Sequence, residues 1–277
     1  MRSALSRRGR GAGGLAVLAG LAAALLVAAL PGAAAGGAWT KKAGDGVVIS
    51  SFGRQGSPTT MFTLAPTSDD KTLAQIYAEY GLTDAITVGG SLYSETELDD
   101  DADATLLAAA FLRHRLWQSD RGYVASVQIG GALPLEGVIG APFAESTPDS
   151  VAEVRVSALG GVSWWGDWGS AFVSGTVGFA WRSENAADEI RGELTAGYKP
   201  HDCCMAILSL YAAQPLLDDD TSLKIAPSFA YSLPADAPLD DEGKPARRRT
   251  TLQIGLSHDV LDGSGDLGVT VAIWRAF

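Results

Sequence analysis

Ala152-Glu153-Val154-Arg155-Val156-Ser157-Ala158 carries the decision about the fold. Successive side chains of a strand point to opposite faces. Ala152, Val154, Val156 and Ala158 therefore share one side, and Glu153, Arg155 and Ser157 share the other. A helical period would mix the two sets. The same alternation returns from Ala85, where Ile86, Val88, Gly90 and Leu92 oppose Thr87, Ser91, Tyr93 and Glu95. From Tyr123, residues Tyr123, Ala125, Val127, Ile129 and Leu133 oppose Ser126 and Gln128. From Ile190, residues Ile190, Leu194, Ala196 and Tyr198 oppose Arg191, Glu193 and Thr195. From Leu223, residues Leu223, Ile225, Phe229, Tyr231 and Leu233 oppose Lys224, Ser228 and Ser232.

Twelve such segments lie near 47–53, 71–80, 85–95, 104–117, 122–133, 151–163, 170–182, 190–199, 205–213, 222–233, 249–259 and 267–277. Most run for about 9–13 residues, long for globular strands (about 5–6) but suited to tilted membrane-spanning ones (about 9–11). An even number returns both termini to one side, as a closed bacterial barrel requires. The alternative is a soluble sandwich or lipocalin-like barrel with a dry core rich in Leu, Ile and Phe. Here the apolar face is thin (Ala, Val, Gly, Leu), and the other face bears full charges at its middle. The expected fold is all-β: a transmembrane, up-and-down, antiparallel β-barrel of about twelve strands.

Composition agrees and excludes other classes. The 277 residues are 47% hydrophobic, too apolar for a disordered chain. A net charge of −11 argues against nucleic-acid binding, which needs a basic footprint. Two cysteines are too few for a disulfide scaffold or a Cys-rich metal site. At the start, Arg2, Arg7, Arg8 and Arg10 precede an apolar run from about Gly14 to Leu30, then Pro31 and Ala33-Ala34-Ala35. That order reads as a secretory signal peptide over 1–35 with a small-residue cleavage site, leaving a single barrel domain over 36–277. A membrane-anchor helix is the alternative, disfavoured by the Pro-Gly break and the small residues. No later stretch approaches 18 consecutive apolar residues, so no spanning helix is expected beyond it.

The loops give an independent check. With the first strand leaving the periplasm, the outside connections are 55–70, 96–103, 134–150, 183–189, 214–221 and 260–266. They hold 18 acids and no Lys or Arg: Asp69, Asp70, Glu97, Asp99, Asp100, Asp101, Asp103, Glu136, Glu145, Asp149, Glu184, Asp188, Glu189, Asp218, Asp219, Asp220, Asp262 and Asp266. Short periplasmic turns and longer outside loops are the rule for such barrels. Pro234–Arg248 breaks it: either a turn carries an insertion there, or the strand count fails. The acidic runs lack the interleaved Gly and terminal Glu of a calcium loop, so a solvated rim is expected. Divalent ions shared between these loops and lipopolysaccharide are a further expectation.

Leu267, Val269, Val271, Ile273 and Phe277 share one face and finish on a C-terminal aromatic. This resembles the terminal strand of Gram-negative outer-membrane barrels, and the resemblance implies recognition of Phe277 by the assembly machinery of that membrane. Arg275 interrupts the row where an aromatic is common. Glu79-Tyr80-Gly81-Leu82-Thr83-Asp84, Ala226-Pro227-Ser228 and Trp274-Arg275-Ala276-Phe277 resemble an uncharacterised proteobacterial group of outer-membrane barrels. Some of its members are labelled transport-related through phenol-degradation gene neighbourhoods. The resemblance covers most of the chain after residue 35. It implies a fold and an outer-membrane location, and no catalytic residues.

Tyr80, Tyr123, Trp164, Trp165, Trp168 and Tyr198 flank the periplasmic turns, where an aromatic girdle meets the lipid headgroups. Trp164-Trp165-Gly166-Asp167-Trp168 would otherwise be a carbohydrate-stacking site. With apolar residues outward, the lumen receives Lys71, Glu79, Glu95, Arg113, Arg115, Glu153, Arg155, Arg182, Arg191, Glu193, Lys199 and Lys224. An outward Arg or Lys at mid-depth would cost about 2–4 kcal/mol, which fixes this register. These charges set solute preference in a water-filled path, or neutralise each other in a plugged one.

Enzyme chemistry finds no support. Ser257 and His258 are adjacent and point to opposite strand faces, so they cannot pair as nucleophile and base. His114 falls at an interfacial, lipid-side position. His201, Asp202, Cys203 and Cys204 crowd one turn with no remote partner for a zinc site. The expected function is a narrow passive channel or transport-related protein for small solutes, without cofactor or metal. Its expected partners are outer-membrane lipid, lipopolysaccharide, the assembly machinery and a small solute. A closed structural or surface-interaction barrel is the alternative.

Overall fold

The computed structural model describes residues 37–58, 70–97, 104–135, 151–183, 186–217, 221–233, 249–261 and 266–277. The expected signal segment 1–35, the stretch 234–248 and the acids Asp69, Asp99, Asp100, Asp101, Asp103, Glu136, Glu145, Asp149, Glu184, Asp218, Asp219, Asp220 and Asp262 lie outside the described residues. The strands are β1 (Gly46–Gly56), β2 (Lys71–Thr83), β3 (Ile86–Glu97), β4 (Ala104–Gln118), β5 (Val124–Pro134), β6 (Glu153–Gly166), β7 (Gly169–Arg182), β8 (Glu189–His201), β9 (Cys204–Pro215), β10 (Ser222–Ser232), β11 (Thr250–Asp259) and β12 (Leu267–Ala276). Each pairs antiparallel with its chain neighbours. β1 closes against β12, from Val47 opposite Ala276 to Gly56 opposite Leu267. Closure satisfies every strand edge within the sheet, which lipid demands because it offers no hydrogen bonds.

One sheet wraps on itself, and among the described residues no second sheet covers its apolar face. The large apolar side chains point out instead: Ile129 is 54% exposed, Leu133 60% and Ile254 55%. The interior takes the small polar ones, with Thr87, Ser126, Ser157 and Ser163 buried. This inverts the soluble pattern and excludes the sandwich alternative. Moving an outward Leu or Ile from water into hydrocarbon is worth about 1.5–3 kcal/mol.

Two rims result. Asp84-Ala85, Asp167-Trp168 and Asp202-Cys203 reverse the chain on the rim where β1 begins and β12 ends. The long connections stand at the opposite rim. β10 and β11 pair from Ser232 opposite Thr251 to Lys224 opposite Asp259, so the strand count holds on either side of 234–248. Tyr80, Trp165, Trp168 and Tyr198 are exposed at the short-turn rim. The Trp168 and Tyr198 rings stack at 6.1 Å, and the Tyr198 hydroxyl donates to the Trp168 carbonyl at 3.0 Å.

Candidate functional site

The interior is built from alternate residues of all twelve strands. Ahead of β1, residues 37–45 turn into the barrel at the short-turn rim. Ala38 is fully buried beside Val124 and Leu159, with Trp39 packed against them. The Trp39 ring meets Phe172 of β7 edge-on at 6.2 Å. It lies over Gly161 of β6, where a Cβ would stand 2.6 Å from the indole. Ser126 Oγ donates to the Ala38 carbonyl at 2.6 Å, and Arg113 Nη1 to the Trp39 carbonyl at 3.2 Å. Gly81 of β2 permits the next close approach: a Cβ there would meet the Lys42 carbonyl oxygen at 2.1 Å. The segment thus spans the inside of the barrel from β7 to β2, bonded through its own backbone.

Above it lies a cavity of about 840 Å³, lined among others by Tyr77, Tyr93, Phe111, Tyr211 and Trp274. Five of the twelve lumen candidates border it: Glu79, Arg113, Glu153, Arg155 and Glu193. Glu79 faces Arg113 Nη1 at 3.1 Å and Lys41 Nζ at 3.4 Å, and accepts from the Tyr77 hydroxyl. Arg113 also donates from Nε to Gln128 at 3.0 Å and lies over the Phe111 ring at 5.2 Å. Glu153 binds Arg155 beside it and Arg191 Nη2 at 3.0 Å, while Arg191 Nε reaches Glu189 at 2.7 Å. Glu193 accepts from Thr195 Oγ1 at 3.1 Å and makes no salt bridge among the described residues.

Lys71, Glu95, Arg182, Arg191 and Lys224 stand at the mouth with the long connections. Lys71 Nζ bridges Glu95 at 2.8 Å and Glu97 at 3.3 Å, and Glu95 also accepts from the Tyr93 hydroxyl at 2.6 Å. Lys224 faces Asp259 at 3.5 Å. Arg182 begins its approach opposite Glu153 in the β6–β7 register, and its Nε is buried without a partner among the described residues. Both signs therefore occur on each wall, Glu193 and Arg182 stand outside the ion pairs among the described residues, and none of these pairs bridges the bore from β2–β3 to β6–β8.

Arg115 and Lys199 lie near the short-turn rim, Arg115 opposite Ser126 and Lys199 opposite Ser170, apart from the charges that border the cavity. The β4–β5 register shifts between Arg115 and Trp117, and the β8–β9 register between Tyr198 and His201. Arg115 donates there to Gln118. Lys199 donates to Asp202 at 3.0 Å and holds that carboxyl below its usual range.

Several interior residues were not legible as such. Asp70 and Glu189 belong by sequence to acidic outside loops. Asp70 is instead fully buried against Arg54, and Glu189 opens β8 facing Arg191. The signal available was the inward Arg on the adjoining strand position, since a buried guanidinium draws the nearest acid. Lys41 and the rest of 37–45 carry no alternation that would have placed them. Ser257 and His258 lie on opposite faces of β11, His258 exposed with its Nδ1 3.2 Å from the Asp266 carbonyl. Among the described residues, no three His, Cys, Asp or Glu side chains group as a metal site.

A closed twelve-stranded barrel with an apolar exterior and a charged, polar interior is the architecture of outer-membrane barrels. No protein-family model matches the chain, and neither does any curated sequence. Among solved structures it resembles an outer membrane channel from Pseudomonas putida F1, with TM-score 0.55 and 13% identity over 89% of this chain and 100% of that one. It also resembles the KdgM porin, with TM-score 0.52 and 7% identity over 83% of this chain and 99% of that one. KdgM is solved as well in complex with disordered oligogalacturonate, at TM-score 0.51. At these identities the likeness is one of fold.

Proposed function

We propose that the chain resides in the outer membrane of a Gram-negative bacterium and passes small solutes through a narrow lumen. The observation that carries this reading is the half-open cavity of about 840 Å³ inside the barrel, bordered by the Glu79–Arg113 and Glu153–Arg155 pairs. Its wall mixes phenol and indole rings with hydroxyl groups, so it accepts solutes that are neither fully ionised nor fully apolar. Charges of both signs on each wall leave little net field along the bore, and the acidic outside loops add a preference for cations over anions at the entrance. A twelve-stranded barrel lies between filled barrels of about 8 strands and open porins of about 16. The same reading assigns residues 1–35 to a cleaved signal peptide and 36–277 to the barrel. It assigns Phe277 to the assembly machinery and the outer acids to lipopolysaccharide through divalent ions. No step of chemistry is assigned to any residue.

One observation favours the alternative, a closed barrel without transport. Residues 37–45 bond to β2, β3, β4 and β5 across the periplasmic end, through Gly81, Thr87, Arg113 and Ser126. Planar-bilayer recording on folded protein separates the two. Stepwise openings with a small unitary conductance are expected. A correctly folded barrel that stays silent at all voltages would overturn the channel and leave the closed form.

A further inference from the structure

The β8–β9 hairpin reverses through Asp202-Cys203, with His201 paired opposite Cys204. Neighbouring side chains on a strand diverge to opposite faces. Cys203 escapes that rule because it occupies the reversal itself. Its Sγ swings to within 2.9 Å of Cys204 Sγ, closer than two sulfur atoms rest without a bond or a shared proton between them. The turn is fixed from three sides. Ser232 N donates to the Cys203 carbonyl at 2.7 Å, Arg249 Nη1 to the Asp202 carbonyl at 3.4 Å, and Lys199 to the Asp202 carboxylate. Both cysteines are half-buried at the rim where the chain begins and ends, and they are the two cysteines of the whole sequence.

We propose that Cys203 and Cys204 form a vicinal disulfide, a redox-labile modification site on the short-turn rim. The thiolate of one cysteine attacks a sulfur of an oxidant's disulfide, supplied by a thiol oxidoreductase or oxidised glutathione. A mixed disulfide forms, and one oxidant thiolate leaves. The second cysteine then attacks the mixed disulfide, closes the Cys203–Cys204 bond and releases the other thiolate. Two thiols are oxidised, one disulfide is reduced to a dithiol, and the two protons pass to the released thiolates. Consecutive Cα atoms are about 3.8 Å apart across a trans peptide, below the usual disulfide span of about 4.4–6.8 Å. The ring is therefore strained and reduces more readily than an ordinary structural disulfide. Reduction frees a dithiol able to chelate a thiophilic centre such as trivalent arsenic.

The test uses the full barrel folded in detergent and exposed to oxidised glutathione. It is then blocked with iodoacetamide and weighed intact. The expected mass lies two hydrogens below the dithiol form, with no alkyl group added. Mild reduction then restores two alkylation sites or, in a parallel sample, capture of one phenylarsine oxide. Cys203→Ser lacks the resolving thiol, so it is expected to keep one glutathione on Cys204 and to take one alkyl group after reduction, with its heat-modifiable mobility unchanged. In the native chain, two alkyl groups after oxidation, a retained glutathione adduct or a cross-linked dimer would overturn the proposal. The in-vitro result does not depend on where the protein resides. A failure of the outer-membrane reading would instead appear as reduced thiols in acid-trapped cells beside a normal result with glutathione.

Discussion

Replacing Glu79 with glutamine removes the acid that holds Arg113 at 3.1 Å and Lys41 at 3.4 Å. The Glu79 and Arg113 side chains are 8% and 7% exposed, so the guanidinium left behind has little water to turn to. Breaking a buried pair from one side costs about 3–5 kcal/mol in a dry interior. The adjoining cavity is wide enough for water, and Gln128 still accepts from Arg113. These two features bring the expected loss to about 2–3 kcal/mol. With a urea slope of about 1–3 kcal/mol/M, the unfolding midpoint falls by about 1 M. The assay is a urea titration of protein folded into lipid vesicles, followed by tryptophan fluorescence. Arg113→Met added to Glu79→Gln is expected to recover part of the loss, because it removes the stranded charge. A loss within about 0.5 kcal/mol, the range of an ordinary surface substitution, would refute the reasoning. Simple additivity of the two substitutions would refute it as well.

Three further outcomes are expected. Ile129→Arg places a cation on the lipid face and destabilises the folded barrel by about 2–4 kcal/mol at mid-depth. Ala132→Arg, three residues along on the lumen face and opposite Glu153, stays below about 1 kcal/mol in the same titration. Trp39→Ala removes the ring seated over Gly161 and against Phe172, so single-channel conductance rises while the barrel keeps its heat-modifiable mobility. Unchanged conductance would show that 37–45 does not narrow the path. Lys71→Met leaves Glu95 and Glu97 without their shared cation, and the reversal potential in a salt gradient shifts toward cation preference.

The register of the strands was legible because lipid imposes it: a period of two, with Ala, Val and Leu outward, survives any choice of solute. It groups Glu79, Arg113, Glu153, Arg155 and Glu193 on the polar face, and these five border the cavity. It does not reveal the irregular pairing beside Trp117 and His201, which no residue type announces. Asp70 and Glu189 were hidden for a related reason. An acid at a strand end reads as loop until the opposing Arg54 or Arg191 is seen to need it. Residues 37–45 were invisible as an interior element, since their contacts run through backbone carbonyls and one Trp. Nothing periodic records such contacts. The closeness of Cys203 and Cys204 was equally hidden, since it depends on which of the two occupies the reversal.

Single fluorophores placed one by one along 153–157, in a Cys203→Ser, Cys204→Ser background reconstituted with brominated lipid, test the central claim most directly. Labels at 154 and 156 should be strongly quenched, and those at 153, 155 and 157 weakly, repeating every second residue. Equal quenching at all five positions, or the opposite alternation, would contradict a barrel that turns its apolar residues to lipid and its charges to an enclosed lumen.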